Sequence, residues 1–182
     1  MTNTIRRKVF ISHYKGDRDE VDAFIRSYSS VFIPKVLGAN DNDEFINSTS
    51  TDYVMQRIRE KYLGDSTVTI VLIGRCTHSR RYIDWEIKSS LRQGQSTPNG
   101  LIGILLPSQG TSAHLPSRFS ENLISSENQC YARYRSHPDS AAQLSQWVED
   151  AHQARTSRAN LIVNSQEMMK NNRQCKICGV TH

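Results

Sequence analysis

Two short apolar runs stand out in the chain: residues 66–74, Ser-Thr-Val-Thr-Ile-Val-Leu-Ile-Gly, and residues 100–107, Gly-Leu-Ile-Gly-Ile-Leu-Leu-Pro. Both are bounded by polar residues and lack the polar alternation of a half-exposed strand, the first being rich in β-branched residues. They therefore predict strands covered on both faces, as in a parallel sheet. Residues 8–12 form a shorter first strand ending in a polar turn at 13–17. Residues 31–36 form a second, placed at or near a sheet edge by Pro34, which has no amide to give to a ladder. Between these runs the period changes to that of a helix. Val21, Phe24, Ile25 and Tyr28 share one face of a first helix, and Val54, Ile58 and Leu63 one face of a second. Ile83, Ile87 and Leu91 make the core stripe of a third, with Ser79 as its N-cap. Residues 38–52, rich in Asn, Asp, Ser and Thr, predict a loop that offers caps at its end. Residues 108–128 read as a polar connection holding a loop or a short helix. Residues 129–134 follow as a final strand, and 139–154 as a helix with Ala142, Leu144, Trp147, Val148 and Ala151 available to the core. The resulting β-α-β-α-β-α-β alternation implies right-handed crossovers and a parallel α/β sheet with helices on both faces.

The third helix gives this scaffold its candidate chemistry. Ligands of open α/β sheets settle at the carboxyl ends of strands, where the first turns of the following helices line a crevice. Glu86 falls in the second turn after the strand at 67–73, on a face shared with Tyr82 and Ser90, while Trp85 lies about 100° away. The alternative for any helix glutamate is a solvated side chain paired with Arg80 or Lys88, an arrangement worth little.

Composition narrows the class. The chain has 182 residues, of which 37% are hydrophobic and 23% charged, which suits one domain, expected at 1–155, and a C-terminal extension at 156–182. No apolar stretch approaches the ~20 residues that cross a bilayer. The first residues lack a signal-peptide pattern, so a cytoplasmic protein without a membrane partner is expected. The net charge of +5 is dispersed among acids, without the basic stripe of a nucleic-acid binder. Phosphate-loop, dinucleotide-fold and nucleophile-elbow glycine signatures are absent. Asp41, Asp43 and Glu44 lack the spacing of a calcium loop. The tail offers Cys175, Cys178 and His182 as zinc donors but needs a fourth from Cys130, Cys76 or another chain. A reduced tail without metal is therefore the expectation.

Three motifs carry a family resemblance: Val9-Phe-Ile-Ser-His-Tyr14 at the first strand, the apolar strand at 67–74, and Tyr82-Ile-Asp-Trp-Glu86 with its aromatic residue four positions before a glutamate. In order and spacing, residues 7–107 resemble Toll/interleukin-1 receptor (TIR) domains. They look most like the bacterial TIR-like group that includes the signal-producing subunit of Thoeris antiphage defence. The resemblance implies a flavodoxin-like fold and an enzyme that cleaves the nicotinamide–ribose bond of NAD, acting as a glycohydrolase or ADP-ribosyl cyclase. NAD is then the substrate and no cofactor is needed. The catalytic role falls on Glu86. Phe10, Ser12, His13, Tyr14, Arg80, Arg81, Tyr82 and Trp85 become candidate substrate contacts: aromatic faces for the rings, hydroxyl and imidazole for ribose or phosphate, arginines for the pyrophosphate. The implied partners are NAD, further copies of the chain through self-assembly, and an effector protein reached through the signal molecule. Arg7-Lys8 stands where many TIR domains carry an acidic residue, and residues 38–52 lack the proline-containing contact loop of adaptor TIR domains. Two alternatives stay open: a non-catalytic TIR scaffold, and an enzyme like the nucleoside deoxyribosyltransferases.

Overall fold

The computed structural model describes residues 5–36, 50–94, 96–110, 113–123 and 129–181. The acidic cluster at Asp41, Asp43 and Glu44, most of the loop expected at 38–52, and His182 lie outside them. Five strands form one sheet: β1 (Arg7–Ser12), β2 (Phe32–Val36), β3 (Val68–Ile73), β4 (Gly100–Leu105) and β5 (Arg133–Arg135). Their order is β2-β1-β3-β4-β5, and every pairing is parallel. This is the flavodoxin-like α/β architecture expected from the alternation, with Pro34 on an edge strand.

The helices are α1 (Arg18–Ser27), α2 (Thr51–Ile58, prolonged by a π-type turn at Arg59–Leu63), α3 (Arg81–Ser90), α4 (Ser117–Glu121) and α5 (Ala141–Ser157). Every residue of β3 and β4 is buried, because helices cover both of their faces. In β1 the two-residue period divides the layers. Val9 and Ile11 pack with Val21, Phe24, Leu144 and Val148 of α1 and α5. Phe10 turns the other way, onto Val54, Ile58 and Trp85 of α2 and α3. By the same alternation Ser12 lies on the α3 side. The stripe Ile83, Ile87 and Leu91 packs with Val71 and Ile73 of β3.

Three local expectations change. The last strand begins only at Arg133, because the Ala132 amide bonds the Asn122 carbonyl at the end of α4 instead of joining the ladder. Ala142 is exposed, while Leu144, Val148 and Ala151 form the buried face of α5. Ser79 does not cap α3. It lies in a 3-10 turn (Thr77–Ser79) with its hydroxyl bonded to the Cys76 carbonyl, and the first helical amide, that of Arg81, donates to Asn172 Oδ1.

That cap comes from the segment after α5, which lies along α3 as a strap and runs from the end of the helix back to its start. Lys88 Nζ donates to the Gln166 carbonyl, Trp85 Nε1 to the Met169 carbonyl, and the Arg173 amide to the Ser79 carbonyl. Beneath the strap Arg118 of α4 is fully buried, with Nε and Nη2 on the two oxygens of Asp84 at 2.9 and 3.3 Å. Among the described residues no helix is long and apolar enough to cross a membrane.

Candidate functional site

In a sheet of this order the strand sequence reverses between β1 and β3, and the connections leaving their carboxyl ends run to opposite faces, the arrangement that forms a crevice just beyond the strands. β1 ends there on Ser12, and β3 leads through Gly74 and the following turn into α3. Ser12 Oγ donates to Glu86 Oε2 at 2.6 Å, joining residues 74 positions apart.

Glu86 is 3% exposed and has no cationic partner among the described residues. Arg80 and Lys88, the partners of the solvated alternative, are engaged elsewhere: Arg80 lies over the Tyr14 ring and Lys88 is held by the strap. Burial raises the Glu86 carboxyl to about 8, against the opposing pull of the Ser12 hydrogen bond. A buried carboxyl of this kind is held ready to ionise when a positive charge arrives. The helix behind it is fixed by a polar chain. Ser90 Oγ donates to the Glu86 carbonyl at 2.8 Å and meets Thr69 Oγ1 of β3 at 2.7 Å, and Asn99 Nδ2 donates to Thr69.

The turn after β1 supplies the rest of the rim. His13 is kept below its usual value chiefly by burial and is neutral at physiological pH. The Arg80 guanidinium sits 4.1 Å from the Tyr14 ring centroid, a cation–π contact that holds a cation at the crevice. Asp17, which the sequence offered only as a turn residue, is half-buried with Oδ2 unpartnered. Burial, then repulsion from Glu20, raises its carboxyl to about 6, with Arg80 opposing. Its position just past the carboxyl end of the first strand was the available signal.

A Cβ at Gly74 would stand 1.9 Å from Asp17 Oδ2, so only glycine leaves that carboxylate in place. Gly74→Ala is expected to destabilise the protein by about 1–3 kcal/mol in urea unfolding, the usual cost of overpacking. Asp17→Ala in the same chain should recover most of that loss, because the clash is with a side chain; strict additivity of the two changes would disprove the contact.

The structure thus gathers Ser12 and Glu86, with His13, Tyr14 and Arg80 around the same strand ends. The remaining predicted contacts sit differently. Phe10 is wholly buried beneath α3, and Trp85 is buried with its indole nitrogen committed to the strap. Arg81 donates to the Lys170 carbonyl and lies near the rings of Tyr82 and Trp85. Tyr82 is half-buried, 5.2 Å from Trp85 between ring centroids. Asp84 and Arg118, which secure α3, were missed because nothing local marks an arginine in a polar connection as buried.

A family model described as Thoeris protein ThsB, TIR-like domain, matches residues 10–111, a span that holds Ser12, Asp17, Gly74 and Glu86 and stops short of Arg118 and the strap. No curated protein matches the chain.

Proposed function

The chain belongs to the Thoeris ThsB TIR-like family, and from that membership we propose that it consumes NAD, breaking the nicotinamide–ribose bond at Glu86 to make a cyclic ADP-ribose-derived signal. The observation that carries this reading is a buried glutamate with no cationic partner among the described residues, bonded to Ser12 at the switch point of the sheet. Nicotinamide leaves as a neutral molecule, so no general acid is required. A pair of carboxylates is needed in most glycoside hydrolysis, where an alkoxide must be protonated. What the site must supply is a fixed negative charge for the oxocarbenium-like ribose.

Ionised Glu86 supplies that charge and accepts from the ribose hydroxyls, with Ser12 holding its second oxygen. The positive nicotinamide ring of the incoming substrate offsets the cost of ionising a buried carboxyl. Arg80 and the neutral His13 face the pyrophosphate and ribose. When the substrate's own adenine attacks C1′, the nicotinamide bond breaks as the new ribose–adenine bond forms, and the product is cyclic. Attack by water gives linear ADP-ribose instead.

The test is to incubate the purified chain with NAD and follow nicotinamide and nucleotide products by mass spectrometry. A parallel sample carries excess pyridine base, which traps the ribosyl intermediate by exchange. Absence of both release and exchange would sink the reading. Because Glu86 must be ionised, kcat/KM should rise about tenfold per pH unit below its value of about 8 and level off above it. A profile flat from pH 6 to 9 would assign the chemistry elsewhere.

A further inference from the structure

Three of the four cysteines meet where the strap ends. The sulfurs of Cys76, in the turn after β3, and of Cys175 and Cys178 all lie within 4.8 Å of one another, and Cys76 and Cys178 are 3.6 Å apart. Two sulfurs on a tetrahedral zinc, each at ~2.3 Å from the ion, stand roughly 3.8 Å apart. A disulfide would need about 2.05 Å and would use only two of the three.

The backbone is shaped for the same purpose. Cys175-Lys-Ile-Cys178-Gly179 closes as a tight turn: the Gly179 amide donates to the Cys175 carbonyl at 2.9 Å and the Cys175 amide to the Val180 carbonyl at 3.0 Å. Gly179 takes φ +74°, a conformation that favours glycine. The Cys178 amide points at Cys175 Sγ, 3.5 Å away. Amides directed at sulfur stabilise thiolate, the form that binds metal. On the opposite side the Cys76 carbonyl is tied to the Ser79 hydroxyl and amide, which fixes the third sulfur from within the fold.

The structure assigns a structural zinc site to Cys76, Cys175 and Cys178. The expectation of a metal-free tail rests on the want of a fourth donor beside Cys175, Cys178 and His182, and of the candidates Cys130, Cys76 or another chain the fold brings Cys76, 99 residues upstream of Cys175, to the two tail sulfurs. A structural zinc takes a fourth donor. His78 lies against the turn, its Nε2 accepting the Lys176 amide at 3.1 Å; it stands outside the three-sulfur cluster and would have to release that amide and move toward the sulfurs to be the fourth donor. Bound metal would pin the strap to the turn that leads into α3, so the site is structural and distinct from Glu86.

The full chain, purified without a polyhistidine tag or chelator, should carry one zinc per molecule that survives dialysis. Cobalt(II) added to the reduced, metal-free chain should give the near-ultraviolet thiolate charge-transfer band and the intense visible bands of a tetrahedral sulfur-rich site. Cys178→Ser, at a half-exposed position, should lose both signals while its far-ultraviolet circular dichroism stays native. Cys76→Ser should lose them as well, and Cys130→Ser should keep them. His78→Ala should bind cobalt at least tenfold more weakly, and unchanged binding would remove His78 from the donor set. Chelation should expose the strap to limited proteolysis near residue 170. The assignment is overturned if the chain holds no metal and gives no cobalt spectrum, or if non-reducing peptide mapping finds Cys76 and Cys178 joined as a disulfide.

Discussion

Glu86→Gln is expected to lower nicotinamide release by about 10³-fold, the scale on which removal of a preorganised charge stabiliser acts, while leaving the chain folded and more heat-stable at alkaline pH. The two halves of that result have one cause. The substitution keeps the side-chain shape and an oxygen for the Ser12 hydroxyl, but it removes the charge that the proposed reaction sets against the ribose. It also removes the burden of a carboxyl buried without a cation.

The pH dependence follows from the raised value. In the unfolded chain Glu86 titrates at the ordinary glutamate value of 4.5, and in the folded chain burial raises it to about 8. Between these the native state holds the extra proton, so the Glu86 contribution to stability is complete below about 4.5 and falls as pH rises toward 8. The melting temperature of the glutamine variant should therefore match that of the parent near pH 4.5 and exceed it increasingly up to pH 8–9. Parallel melting curves across that range would show that Glu86 is not the buried acid described here. Undiminished nicotinamide release would show that it is not the catalytic group.

Arg118→Ala should produce the largest loss of stability, about 3–5 kcal/mol, the usual cost of orphaning one member of a buried ion pair. Arg118 is fully buried, and its guanidinium donates to both oxygens of Asp84, to Asn164 Oδ1 and to the carbonyls of Gln166 and Glu167. These contacts use all five guanidinium donors. Truncation leaves the Asp84 carboxylate, only 4% exposed, with the Met169 amide as its remaining hydrogen-bond partner. Lysine should not rescue the site, since a point ammonium cannot reproduce a planar fork. Urea unfolding measures the loss. The double variant Asp84→Ala with Arg118→Ala should cost clearly less than the two single losses together, because neither then leaves a charge behind. A single-variant loss below ~1 kcal/mol would mean that the pair carries little of the strap and helix α3.

Much of the fold was legible because it rests on short-range regularities. The apolar runs at β3 and β4 and the three-to-four-residue stripe Ile83, Ile87 and Leu91 predict their own burial, since a strand covered twice has no polar face and a helix on a sheet has one apolar stripe. The same phase placed Glu86 in the second turn beyond β3. The short final strand and the capping of α3 were less legible, because an amide of Ala132 or Arg81 can be satisfied by any acceptor that the rest of the chain brings near.

The sequence by itself therefore determined the alternation of elements, the parallel sheet and the helical turn that bears the glutamate, all consequences of periodicities repeated within a few residues. Tertiary structure alone decided which groups meet: Ser12 with Glu86, Asp17 against Gly74, Arg118 under the strap, and Cys76 with the cysteines of the tail. Such meetings join residues distant along the chain, where local sequence carries no record of the partner. The raised pKa of Glu86 belongs to this second group, because it arises from packing that buries the carboxyl and not from the residue type.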